Sequence, residues 1–218
     1  MEIQLMTDSG ADIPQFLIEK MGVETVPLYL HFSDGEYQTG VTLDLADFHR
    51  KVKALDEVPL SSAPSPNDFY EAYKRIPASR AIIMLSVSGE LSSTYQNAVT
   101  AKDMLLQEEP SRKIAVLNTK TASCGIGLLL YELHRKIEEG FTFEQLVRHA
   151  EERIDNTTTL FILKTLDNLV RGGRISKVKG KIAKTLNIKL LMRGSEEGTI
   201  EVTEKIRGEK KSLRRFIE

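Results

Sequence analysis

The sequence predicts an α/β fold: two α/β domains, the first with a largely parallel sheet flanked by helices. Three observations carry this. Apolar runs of strand length alternate with helical patterns along most of the chain. Two of the runs, residues 81–85 and 114–117, are apolar throughout, the pattern of strands covered on both faces. Each leads into a loop rich in hydroxyl and glycine residues and then into a helix, the order of a strand–loop–helix unit.

The elements follow in order. Residues 3–6 read as a first strand ending in Thr7-Asp8-Ser9-Gly10. Asp12 is placed to cap a helix that has Pro14 in its first turn and Gly22 beyond its end. Residues 23–32 read as one second strand, followed by the hairpin-type turn Asp34-Gly35. Asp44 caps a helix running to residue 54. Ser65-Pro66-Asn67-Asp68 supplies an N-cap, a proline at the first helical position and an acid at the third, so a helix starts there. Thr142 caps a helix over 143–154. Composition shifts near Asn156, which sets a boundary between a domain at 1–156 and a second, smaller one at 157–218. In the second, 157–163 reads as a strand and 177–186 as a basic helix. A hairpin over 188–192 and 199–206 turns at 195–198.

The chain has 218 residues, 41% of them hydrophobic, enough to fill a core. Its 30 basic and 31 acidic residues nearly cancel, which argues against a dedicated nucleic-acid binder. A single cysteine excludes a disulfide framework within these residues and any multi-cysteine zinc site. No apolar run reaches the ~18 residues of a membrane span, and the first residues lack a signal-peptide pattern. A cytoplasmic, soluble protein is expected.

Candidate chemistry gathers at the strand ends. The loops are Thr7-Asp8-Ser9-Gly10, Ser61-Ser62-Ala63-Pro64-Ser65, Ser86 to Gly89 with Ser92, Ser93 and Thr94, and Thr119 to Ser123. In an open parallel sheet these ends border the ligand crevice, and helix N-termini there favour anions. Converging hydroxyls would form a neutral cradle for a carboxylate or a phosphate; each also serves simply as a cap or turn residue. Nucleophilic catalysis has little support. Ser86-Val87-Ser88-Gly89 is no G-x-S-x-G elbow, and none of His31, His49, His134 and His149 lies beside an acid at a suggestive spacing. Cys124, near a helix start, reads as a small buried residue rather than a reactive thiol. Arg171-Gly172-Gly173-Arg174, with Lys177, Lys179, Lys181 and Lys184, makes the most basic segment, an anion site or a docking surface for an acidic partner.

The chain resembles the DegV family of bacterial fatty-acid-binding proteins. The matching pieces run in order along the chain: Thr7-Asp8-Ser9, residues 61–66 (SSAPSP), 88–98 (SGELSSTYQNA), 118–127 (NTKTASCGIG), 165–176 (TLDNLVRGGRIS) and 206–211 (IRGEKK). The resemblance implies a two-domain protein that buries one long-chain fatty acid, such as palmitate or stearate. It implies no catalytic residue of its own, no cofactor and no metal. Such a protein presents the carboxylate to a separate ATP-using fatty acid kinase subunit and carries the acyl phosphate away, with only transient membrane contact and no nucleic-acid partner. On the matching motifs Ser62 and Ser92 would hold the carboxylate, with Ser61 and Ser93 beside them and Arg174 as cationic neighbour. Thr7, Asp8, Ser9, Thr119 and Ser123 would form the cradle loops, and Arg207 and Arg171 the docking surface. Phe16, Leu17, Phe161, Ile162 and Leu166 are apolar candidates for the tunnel wall or for ordinary core. Three features depart from the pattern: Ser61 stands where threonine is common, Ser93 where glycine is common, and Asn118 where an acid precedes Thr119. Relative to the family the second domain is incomplete by about 60 residues, including a G-x-H-x-G-P-G-type segment. A phosphotransferase or hydrolase using the same loops for phosphate, with Asp8 as base, is the alternative.

Overall fold

The computed structural model describes residues 2–55, 57–163, 167–174 and 188–218. The chain opens with strand β1 (Ile3–Asp8), a 3-10 turn (Ser9–Ala11) and helix α1 (Gln15–Met21). Strands β2 (Glu24–Val26), β3 (Tyr29–Phe32) and β4 (Gly35–Gln38) follow, then helix α2 (Leu45–Leu55) and strand β5 (Leu60–Ser62). Helix α3 (Pro66–Arg75), β6 (Ala81–Ser86), α4 (Thr94–Glu108), β7 (Ile114–Asn118), α5 (Cys124–Glu138) and α6 (Phe143–Asp155) complete the first part. The remainder holds β8 (Leu160–Ile162), a short α7 (Asp167–Arg171), β9 (Ile188–Gly194), β10 (Ile200–Arg207) and α8 (Glu209–Ile217).

A four-stranded parallel sheet in the order β2-β1-β6-β7 forms the centre. Alternation along its strands sorts the core into two layers. Leu5, Ile83, Leu85 and Leu117 face a layer made with Ile126, Leu129, Leu133, Leu146 and Ile154 of α5 and α6. Met6, Ile82 and Met84 face the opposite layer, with Phe69 and Tyr73 of α3 and Ala98, Ala101 and Leu105 of α4. β6 is buried at every residue. β7, expected to be equally covered, is half-buried at Ile114, Ala115 and Val116, because it stands at the edge of the sheet.

Three differences from the sequence reading have physical causes. The run 23–32 is two strands, because Pro27 removes an N–H from the ladder. β2 stays in the parallel sheet, while β3 pairs antiparallel with β4 and β5 in a separate three-stranded sheet. Asp12 does not cap α1: it is the left-handed C-cap (φ 47°) of the 3-10 turn, and the acid that caps by its side chain is Asp8, which accepts from Gly10 N at the start of that turn. Pro14 occupies the cap position of α1. Helix α8, which the sequence reading did not assign, closes the chain beyond Gly208.

The remaining signals fold as read. Ser65 and Thr142 each close a capping box, with Asp68 and Gln145 respectively. Asp44 Oδ1 accepts from Asp47 N at 2.7 Å at the start of α2. β8, β9 and β10 form an antiparallel sheet over Leu190, Met192 and Ile200, against which Leu91 packs from the first part. Among the described residues no helix is long and apolar enough to cross a membrane.

Stability should follow this hierarchy. Ser65→Ala is expected to cost about 0.5–2 kcal/mol by breaking the α3 cap. Ile83→Ala, at the centre of the sheet, is expected to cost about 2–5 kcal/mol. Urea unfolding of the two variants checks the order; an equal cost would mean that the central strand is not the packed core.

Candidate functional site

Strand order places a switch point in the sheet. β1 connects through α1 to β2 on one side, and β6 lies on the other. The loops that follow β1 and β6 therefore diverge, leaving a crevice of the kind that binds ligands in open α/β sheets. Asp8 sits at the base of that crevice, fully buried. Its Oδ1 accepts from Gly10 N at 2.9 Å, and its Oδ2 accepts from Ser86 Oγ at 3.1 Å and Val87 N at 2.9 Å. Burial pushes its carboxyl above the ordinary 3.8, and the three donors pull it partly back. The phenol of buried Tyr73 is pushed up too, by burial first and by the charge of Asp8 second. With both oxygens engaged inside the fold, Asp8 does not offer a ligand its carboxylate, which removes it as a general base.

The other inward hydroxyls also bond the protein itself. Thr7 Oγ1 donates to Leu85 O at 2.9 Å, and Thr119 Oγ1 to Ser86 O at 2.8 Å. Ser9 Oγ accepts from Leu28 N at 2.9 Å and pairs with the Thr39 hydroxyl. Ser123, at φ 57°, donates its N–H to Gly10 O at 2.7 Å, tying the α5 loop to the β1 loop. Backbone strain of this kind in non-glycine residues persists where surroundings over-determine it. Ser88 Oγ donates to Gly198 O at 2.7 Å, fastening the turn between β9 and β10 onto the β6 loop. Gly198 must be glycine there: its φ is +91°, and a Cβ would lie 2.3 Å from Ser88 Oγ. At Gly125 in α5 a Cβ would lie 2.4 Å from Thr159 Oγ1, so that close approach requires glycine.

The outward hydroxyls form the second tier. Ser92 is half-buried; its Oγ pairs with Thr94 Oγ1 at 2.7 Å and accepts from Thr94 N at 3.3 Å. Ser93 is the exposed residue preceding α4. Arg174 Nε donates to Leu91 O at 3.1 Å, which seats the guanidinium beside the Ser92 loop. Glu90, Leu91, Gly172, Gly173, Arg174, Thr199 and Ile200 line a cleft of about 170 Å³ there. That is small against the ~300–1,000 Å³ of whole ligand pockets, and it is polar, a head-group-sized space. The Ser62 loop is held to the same helix: Asn97 Nδ2 donates to Pro64 O at 2.7 Å, and Asn97 N donates to Ser93 O. Ser61 and Ser62 alternate in β5, so they face opposite sides of their sheet.

One arrangement was missed by sequence reasoning. His31 Nε2 lies 2.7 Å from Ser62 Oγ, and its Nδ1 lies 3.2 Å from Glu36 Oε2. The signal was the hairpin turn itself, which pairs His31 directly with Glu36 across β3 and β4. Cys124, expected to be buried, is exposed at the first residue of α5. Among the wall candidates, Phe16 is 67% exposed, Leu17 packs on the α5–α6 layer and Phe161 on the second core. Ile162 is half-buried. Leu166, Lys177, Lys179, Lys181, Lys184 and the helix over 177–186 lie outside the described residues. Arg171 and Arg207 are exposed, at the ends of α7 and β10.

The raised carboxyl of Asp8 has a testable sign. A native state that holds this proton above 3.8 gains most from the group below that pH and loses the contribution as pH rises through the folded value. The stability advantage of the wild type over Asp8→Asn is expected to be largest in acid and to shrink toward neutrality, read by denaturant unfolding across pH. An advantage that grows with pH would mean that the three donors outweigh burial.

Comparison with known proteins places this geometry. The family model described as an uncharacterised protein of the DegV family matches residues 2–218. A DegV domain-containing protein of Streptococcus pyogenes serotype M18 is 33% identical over 217 residues, covering 99% of this chain and 76% of the relative. A DegV family crystal structure from Ruminococcus gnavus, refined with vaccenic acid, superposes with a TM-score of 0.90 at 30% identity, over 98% of this chain and 76% of that one. The fatty acid kinase B3 protein of Streptococcus pneumoniae, loaded with linoleic acid, gives 0.84 at 30% identity, over 99% and 76%. A buried acid joining two parallel strands, serine loops on one sheet edge and an arginine seated against them thus occur in a chain whose sequence and backbone match throughout, and the protein belongs to the DegV family.

Proposed function

We propose that this protein binds a long-chain fatty acid, with the carboxylate at Ser62, Ser92 and Arg174 and the tail in apolar surroundings. The observation that carries the proposal is the convergence at the start of α4. Arg174 reaches the carbonyl next to Ser92, and Asn97 one turn into the helix grips the loop that bears Ser62. Two hydroxyls and a guanidinium suit a carboxylate, which accepts hydrogen bonds and donates none. The lipids named for the R. gnavus and S. pneumoniae relatives support the same ligand class. Burying the ~14 methylenes of a palmitoyl chain would contribute about 11 kcal/mol before ordering costs. Ser61 and Ser93 are neighbouring donors. Thr7, Asp8, Ser9, Thr119 and Ser123 act as positioning residues, because their polar groups are engaged within the loops.

On this reading the protein is a cytoplasmic carrier without catalytic residues or cofactor. It is divided into domains at 1–156 and 157–218 that meet over the Ser92 loop. It hands the carboxylate to a separate ATP-using kinase subunit, which docks through Arg207 and Arg171. The kinase relationship of the pneumococcal protein supports that partner.

Two measurements test the proposal. A hydrogen bond to a charged carboxylate is worth about 1.5–3 kcal/mol. Ser62→Ala with Ser92→Ala is therefore expected to weaken fatty-acid binding roughly 10- to 1,000-fold. The methyl ester, lacking the charge, should lose much less, and the melting curve should change little. Equal loss for acid and ester would move the carboxylate elsewhere. Arg207→Ala is expected to slow phosphorylation of the bound acid by the kinase subunit while leaving fatty-acid affinity intact; parallel loss of both would make the arginine structural.

A further inference from the structure

The contacts that His31 makes with Glu36 and Ser62 have a direction. His31, Glu36 and Ser62 lie on one face of the sheet formed by β4, β3 and β5: His31 pairs with Glu36 on one side and with Leu60, two residues before Ser62, on the other. Glu36 Oε2 lies 3.2 Å from Nδ1 as an ion-pair contact, and a negative charge beside that nitrogen favours the tautomer that carries its proton there. In neutral His31 the nitrogen facing Ser62, Nε2, is then a bare acceptor. The Ser62 hydroxyl must donate to it across 2.7 Å, turning its oxygen lone pairs outward. Outward lone pairs repel a carboxylate. Protonating Nε2 reverses the bond: the imidazolium donates to Ser62 Oγ, and the hydroxyl hydrogen is released to point at the ligand.

We infer that Glu36, His31 and Ser62 form a proton relay that couples binding of an anionic head group to uptake of one proton at His31, and that His31 is thereby the positioning residue of the carboxylate site. The inference rests on the fatty-acid reading above. The balance is simple: one proton leaves the solvent for Nε2, no bond to carbon changes, and the Ser62 hydroxyl exchanges an inward for an outward hydrogen bond. Among the described groups around the ring, the ionisable partner is Glu36 on β4, and β5 offers the Ser62 hydroxyl. Tyr29, on the same face of β3, accepts at its hydroxyl from Gln38 Nε2 at 3.2 Å. Lys51 of α2, with Asp34 and Tyr37, serves the opposite face, where its ammonium lies over the Phe32 and Tyr37 rings. Glu57 is bonded to Ser33. Glu36 is therefore the one charged group of this set beside the ring, and no cation of the set faces it.

Isothermal titration with dodecanoate, repeated in buffers of different ionisation enthalpy, counts the protons taken up per ligand. The wild type is expected to take up a substantial fraction of one proton near neutral pH, with affinity falling by up to about tenfold per pH unit above the transition. His31→Gln, whose amide is a permanent donor in place of Nε2, should bind with no proton uptake and no such pH dependence. Glu36→Gln, on an exposed hairpin, should keep the fold and reduce the proton uptake, because Nδ1 loses its charged neighbour. Proton uptake of zero in the wild type, or unchanged uptake in His31→Gln, would overturn the relay while leaving fatty-acid binding standing. No dodecanoate or palmitate binding by the wild type would overturn the fatty-acid reading, and the relay with it.

Discussion

The joint between β1 and β6 depends on one carboxylate. Asp8 ends the first strand, caps the turn that follows, and accepts from the hydroxyl and the backbone at the end of the neighbouring strand. Without an acceptor in that place, the Val87 N–H and the Ser86 hydroxyl would be buried without that partner, each at a cost of about 1–3 kcal/mol. The sheet would still be driven together by its apolar layers, but the two diverging loops would have no common origin. Everything that shapes the crevice starts from that origin: the Ser88 contact to the β9–β10 turn, the Thr119 bond to Ser86 and the Ser123 bond to Gly10.

The hydroxyl-rich loops therefore divide into two populations. Those nearest the sheet, Thr7, Ser88 and Thr119, are buried and donate to backbone carbonyls, and their work is to hold loop geometry. Those one step further out, Ser61, Ser62, Ser92 and Ser93, keep solvent exposure. Composition alone does not separate the two, because a serine that braces a loop and a serine that meets a ligand have the same side chain. What separates them is distance from the strand end, which only the three-dimensional pairing of strands supplies.

Much of the fold was legible in the sequence. The all-apolar runs became β6 and β7, the capping boxes at Ser65 and Thr142 start α3 and α6, and the hairpin expected at Asp34-Gly35 joins β3 to β4 one residue earlier, through Ser33-Asp34, with Gly35 opening β4. The errors are local. Residues 23–32 look continuous because Val, Thr, Tyr and Phe all favour strands, and Pro27 was the one residue that carried the break. Asp12 looked like a cap because an acid before a proline is a helix-start pattern; Asp8 had already taken that function for a shorter turn. The His31–Glu36 pair was illegible as a spacing of five, since such pairs matter only once a two-residue turn folds them opposite each other.

The serine doublet of β5 has a consequence for evolutionary and mechanical tolerance. β5 is three residues long and sits at the edge of its sheet, where pairing register is weakly enforced. A slip by one residue turns every side chain of a strand to the other face. In most strands that would replace one kind of side chain by another at the site. Here it would exchange Ser61 for Ser62 and leave a hydroxyl on either face, so the chemistry offered beside His31 is buffered against the commonest misalignment of a short edge strand.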